Sequence, residues 1–188
     1  GIDGKVYQFT INSDGTLTAM TTPSVNSGTG AVQVVTSPNS DYLYVAHDGV
    51  ASIRRFTIDT NGALTAPTDY NTGGTQAKDL AFSPNFKTLY VSHGAADIIT
   101  SFTVDSSNGV PSNMQARSSL QFNMTGLIIS PDSKSLYTMF NGLMAGSGGV
   151  IQADIQQADA SLLGKSPCTL PLPASGLQSI VLTPDGKN

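Results

Sequence analysis

His47 and His93 are the two imidazoles of the chain. Such a pair can pass a proton near neutral pH or share a metal ion. Their settings match, His47 preceding Asp48-Gly49 and His93 preceding Gly94-Ala95. Equivalent positions in successive repeats lie far apart, so they read as two separate loop-capping groups rather than a metal site or acid–base couple. Lys78 offers a point charge for a carboxylate or phosphate, and Asp79 beside it reads as a structural acceptor between layers. Ser37, Ser83 and Ser130 are nucleophiles by type alone. None stands in a Gly-x-Ser-x-Gly elbow, and each precedes a proline, which reads as a turn. Asp14, Asp59, Asp105 and Asp132 flank turns and read as caps, and no calcium-loop pattern occurs. The single cysteine, Cys168, excludes an internal disulfide and a thiolate zinc cage. Residues 142–149 are glycine-rich but hold no lysine, so they read as a surface loop available to a partner and not as a phosphate cradle. The residues point to no metal and no cofactor.

The elements that must carry these residues are strands. Of 188 residues only 12% are charged, while Gly (19) and Pro (10) are plentiful. Trp is absent, and all thirteen acidic residues are Asp. Lacking Glu and rich in Ser, Thr, Asn and Gly, the chain favours turns and β-structure over helix. A net charge of −4 without a Lys/Arg cluster excludes a nucleic-acid binder. Arg54-Arg55, the one adjacent basic pair, would point to opposite faces of a strand. No apolar run is long enough to span a bilayer. Gly1-Ile2-Asp3-Gly4 reads as no signal peptide, although a mature exported protein would look the same.

Internal repetition sets the architecture. Val34-Val35-Thr36-Ser37-Pro38-Asn39 precedes Tyr42-Leu43-Tyr44-Val45-Ala46-His47. The pattern returns as Leu80–Asn85 before Thr88–His93, as Leu127–Asp132 before Ser135–Thr138, and begins again at Ile180–Gly186. The prolines at 38, 84, 131 and 184 are spaced by 46, 47 and 53. In phase with them run Phe9-Thr10-Ile11, Phe56-Thr57-Ile58 and Phe102-Thr103-Val104, followed by Asp14-Gly15, Asn61-Gly62 and Asn108-Gly109. Four short strands per period of about 47 residues predict an all-β β-propeller of four-stranded antiparallel blades. With strands a to d named from the axis outward, residues 1–25 are the outer strands of one blade. Blades follow over 26–71, 72–120 and 121–172, and 173–188 holds the inner strand of a further blade, fifteen strands in all.

The Ser-Pro-Asn/Asp, Leu-Tyr-Val-Ala/Ser, Phe-Thr-Ile-Asp and Asn-Gly-Ala-Leu-Thr motifs resemble the lactonase family of β-propellers. That family includes bacterial 6-phosphogluconolactonases, fungal carboxymuconate cyclases and secreted repeat proteins of the YVTN type. The resemblance implies a seven-bladed ring roughly twice this length. It also implies a catalytic His near the start of strand a, six residues before the repeat proline, with a Glu partner. Those positions here hold Val32, Lys78, Thr125 and Gln178, and the chain has no Glu. Asn is the family's usual residue where His47 and His93 stand. Ligands of such folds meet the face formed by d–a and b–c loops. Lys78, Gln178, Thr125, His47 and His93 are therefore the ligand-face residues to locate.

Three arrangements fit the phase of the repeats: part of a seven- or eight-bladed ring, self-association of two copies to complete one, or closure alone. Closure alone leaves the place of a strand b empty and exposes unpaired edges, so part of a larger ring is expected. Two functions remain. One is an exported or surface repeat scaffold that binds a protein or carbohydrate partner, favoured by the low charge and the missing His and Glu. The other is a lactone hydrolase or cyclising enzyme whose catalytic residues lie largely outside these 188. A periplasmic, cell-surface or extracellular location is expected. Asn123-Met124-Thr125 is a glycosylation sequon that matters only in a eukaryotic secretory setting.

Overall fold

The computed structural model describes residues 3–96, 98–117, 123–141, 148–172, 176–183 and 185. They form fourteen strands and no helix. An opening pair, β1 (Lys5–Ile11) and β2 (Leu17–Asn26), precedes three sheets. The first sheet contains β3 (Ala31–Thr36), β4 (Tyr42–His47), β5 (Ser52–Ile58) and β6 (Leu64–Asn71). The second contains β7 (Ala77–Phe82), β8 (Thr88–His93), β9 (Ile99–Val104) and β10 (Pro111–Arg117). The third contains β11 (Met124–Ile129), β12 (Ser135–Phe140), β13 (Gly149–Ile155) and β14 (Leu162–Pro171). Within each sheet the strands neighbour one another in chain order and run antiparallel. These are the blades expected from the repeat.

The Ser-Pro turns explain their serines. Ser37, Ser83 and Ser130 are buried. Each hydroxyl donates to the carboxamide or carboxylate two residues on, Asn39, Asn85 or Asp132, at 2.6–2.7 Å. Each also accepts the N–H of the residue five further on. A side chain held from both directions is a turn fastener, not a nucleophile. The outer turns use glycine for its freedom at positive φ: Gly15 (83°), Gly62 (84°) and Gly109 (65°). The fourth outer turn lacks glycine, and there Ala160 takes φ 60°.

The core lies between blades. Tyr44, Ala46 and Ile53 of the first sheet pack on Ala77, Leu80, Leu89, Val91 and Phe102 of the second. Tyr90 and Ile99 of the second pack with Met124, Leu127, Leu136, Phe140 and Ile151 of the third. Fully burying a side chain of this size stabilises by about 1.5–3 kcal/mol. Tyrosines keep a polar exit: Tyr44 Oη donates to the Gly109 carbonyl of the next blade at 2.7 Å.

Two features position the site. Each of the inner strands β3, β7 and β11 carries a one-residue bulge, at Val32 and Lys78 in matching places and at Gly126 one residue later in the repeat. The fifteenth strand differs from expectation. Among the described residues, 176–183 belong to no ladder. The segment is instead held beside β11 by side chains: Asn141 donates to and accepts from the Leu177 backbone, and Thr125 Oγ1 donates to Leu177 O. No helix among the described residues is long and apolar enough to cross a membrane.

Candidate functional site

The inner strands converge on one cavity of about 400 Å³, within the roughly 300–1,000 Å³ of small-molecule sites. Gln33 comes from β3, Lys78, Asp79 and Leu80 from β7, and Thr125, Gly126 and Leu127 from β11. Gln178, Ser179 and Ile180 close it from the last segment. Lys78, Thr125 and Gln178, which share a repeat position, all line it. Val32, the fourth equivalent, does not join them. Val32 is exposed, and its neighbour Gln33 lines the cavity, as Asp79 does beside Lys78. A count of six back from the proline reaches Val32 and so missed Gln33, the next residue along β3.

Lys78 is not a free charge. Its ammonium lies 2.5 Å from Asp48 Oδ2, on the loop after β4 in the neighbouring blade, and both side chains are partly buried. An added Cβ at Gly94 would lie 2.6 Å from Lys78 Cε, so the bare backbone at Gly94 leaves room for the lysine stem.

Asp79 joins blades. Its Oδ2 accepts the Leu127 N–H of β11 at 2.7 Å, its Oδ1 accepts the Leu80 N–H at 2.8 Å, and Gln33 adds a side-chain hydrogen bond. Burial raises its carboxyl above the usual range, against these hydrogen bonds, which pull the other way. Both oxygens are engaged, which leaves little for taking a proton from water.

The two histidines stay apart from the cavity lining. Both are buried at the ends of β4 and β8. His47 Nε2 lies 2.6 Å from Ser27 O and 3.1 Å from its hydroxyl, on the connection entering β3. His93 Nε2 lies 3.2 Å from Thr100 Oγ1, which donates to Thr72 O on the connection entering β7. Each therefore braces the loop that brings the chain in from the preceding blade. Burial lowers His93 to about 4, with a smaller upward pull from the Thr75 and Gly74 backbone. Among the described residues, no group of three His, Cys, Asp or Glu side chains is placed to hold a metal ion. Residues 142–147 of the glycine-rich loop lie outside the described residues.

Blades of four antiparallel strands around inner strands that share a polar cavity define a β-propeller. Residues 2–125, more than half of the chain, match the family described as lactonase, 7-bladed β-propeller, and the chain belongs to that family. Among solved structures, a proposed 6-phosphogluconolactonase from Bacteroides fragilis is similar with a TM-score of 0.77 and 18% identity, over 92% of this chain and 50% of that one. A second, from Bacteroides uniformis, gives 0.77 and 19% over 98% and 56%. The periplasmic gluconolactonase of Pseudomonas aeruginosa gives 0.71 and 18% over 92% and 49%. At these identities the likeness is one of fold. The chain spans about half the length of these structures. Comparison with curated protein sequences returned no match.

Proposed function

We propose that the chain supplies part of the axial ligand site of a larger lactonase-type ring, and that this site takes a small polyhydroxylated lactone. The observation that carries the reading is the convergence of Gln33, Lys78, Asp79, Thr125 and Gln178, from successive units, on one cavity. Amide, ammonium and hydroxyl groups there offer the donors and acceptors that ring hydroxyls and a carbonyl need. Hydrolysis requires a base to activate water and a donor for the developing oxyanion. Lys78 and the two glutamines are donors of that kind. Asp79 is the one carboxylate of the set, and its bonds to the Leu80 and Leu127 N–H groups commit it to joining blades. The base comes from outside these residues, in blades that complete the ring. Family membership supports the reading, as do the lactonase names of the similar structures. A location outside the cytoplasm belongs to it, supported by the low charge of the chain.

A binding scaffold is the second reading, favoured by the absence of Glu and of His at the family's strand-a positions. One experiment separates the two. A lactonase hydrolyses some member of a panel of sugar and aromatic lactones, loses rate on Lys78→Ala, and keeps it when 142–149 is replaced. A chain that neither hydrolyses nor binds any lactone, and loses a protein or carbohydrate partner when 142–149 is replaced, is the scaffold.

A further inference from the structure

From the Lys78–Asp48 pair we infer that the axial cavity selects an uncharged ligand over an anionic one, with Asp48 as the residue that sets the choice. The inference rests on the reading of this cavity as a small-ligand site.

Its charge is the first ground. Among the described residues ten line the cavity, and of these Lys78 is the one cation, its ammonium already 2.5 Å from a carboxylate. The other charged lining residue is Asp79. A phosphate or carboxylate entering the cavity meets a cation that is already neutralised and an acidic side chain. To reach Lys78 it must drive Asp48 into water or stand as a second anion beside one cation, and either opposes binding. A neutral polyol meets no such opposition. The remaining ammonium hydrogens, the Gln33 and Gln178 amides and the lone pairs of Thr125 Oγ1 can all face its hydroxyls.

The repeat itself supplies the second ground. Asp48 follows the end of strand b, where the next two blades have Gly94 and Asn141. All three make the same backbone bond to the residue entering strand a: Asp48 N to Gly30 O, Gly94 N to Gln76 O, and Asn141 N to Asn123 O. The fold therefore does not require a carboxylate there. Nor does it require a lysine at 78, whose equivalents are Val32, Thr125 and Gln178. Two charges that the scaffold does not demand stand together, Lys78 in the lining of the cavity and Asp48 bonded to it.

Local geometry is the third. Lys78 is the extra residue of its bulge and lies outside the ladder. Its stem passes Gly94 with no room for a Cβ, which directs the ammonium toward Asp48.

The test is calorimetric titration of the protein with D-gluconolactam, an uncharged lactone mimic that is not hydrolysed, and with its 6-phosphate ester. The protein, Asp48→Asn and Asp48→Ser are compared at low salt, with folding checked by circular dichroism. The unaltered protein is expected to bind the uncharged compound roughly tenfold or more tighter. Both variants are expected to tighten the phosphate ester by roughly tenfold, because the freed ammonium becomes its partner, and to change the uncharged compound far less. Preference for the phosphate ester by the unaltered protein, or an unchanged ratio in both variants, overturns the inference and leaves the ligand-site reading standing. Failure of both compounds to bind overturns that reading and the inference with it.

Discussion

Replacing His93 by Gln is expected to remove a specific part of the protein's sensitivity to acid. The imidazole is fully buried, and burial holds it at about 4 where an exposed histidine titrates near 6.5. Between those values the unfolded chain takes up a proton that the folded chain refuses. Stability therefore falls as pH falls from about 6.5 to about 4, and this contribution levels off below. Each unit is worth about 1.36 kcal/mol, so the window amounts to about 3 kcal/mol. That is a large share of the roughly 5–15 kcal/mol that holds a domain together. Asp79 works in the opposite sense, since its raised value favours the protonated folded form, but it is present in both proteins and cancels in the comparison. The assay is urea unfolding of the protein and of His93→Gln at intervals from pH 7.5 to 4. Glutamine keeps an amide donor for Thr100 Oγ1 and has nothing to titrate. The gap between the two midpoints is expected to shift by about 1–2 M urea across the window, in favour of the variant at low pH. Parallel midpoint curves would refute the reasoning.

Two further changes test how the blades hold together. Asp79→Ala leaves the Leu127 N–H of the next blade and the Leu80 N–H without their acceptor. The cost is about 1–3 kcal/mol for each group left buried, read as a lower thermal midpoint, and an unchanged midpoint would deny Asp79 its bridging role. Ala160→Gly places in the fourth outer turn the residue that the other three use. Relief of φ 60° on a residue with a Cβ is expected to raise stability by about 1 kcal/mol in urea unfolding, whereas a loss would mean that packing at Ala160 outweighs the strain.

The period near 47 residues exposed the blades because each turn depends on a few residues with strong local demands. Ser-Pro-Asn/Asp and Asn/Asp-Gly fix where strands begin and end before any tertiary contact exists. Lys78, Thr125 and Gln178 were legible as a set for the same reason: a repeat position is a place in space. What was not legible depends on single extra residues and on contacts between blades. Nothing in Ala31-Val32-Gln33 announces that Val32 stands outside the ladder and that Gln33 lines the cavity. The pairing of Lys78 with Asp48 joins residues 30 apart in different blades, and no local pattern relates them. For the two histidines, loop capping could be read from their equivalent places at the ends of strand b. Their partners, Ser27 for His47 and Thr100 with Thr72 for His93, could not.

The bulge in the inner strands has a consequence for how such a protein can change. A residue in a regular ladder answers to two neighbours and to the core beneath it, and most substitutions there disturb one or the other. The extra residue of a bulge is released from the ladder, although Gly126 still has no space for a Cβ against Met139. This chain already shows the freedom that follows, with Val32 and Lys78 at the same level of successive inner strands and Gly126 as the extra residue of the third. Side chains at this level of the cavity can therefore change in the first two inner strands with the ladder itself kept.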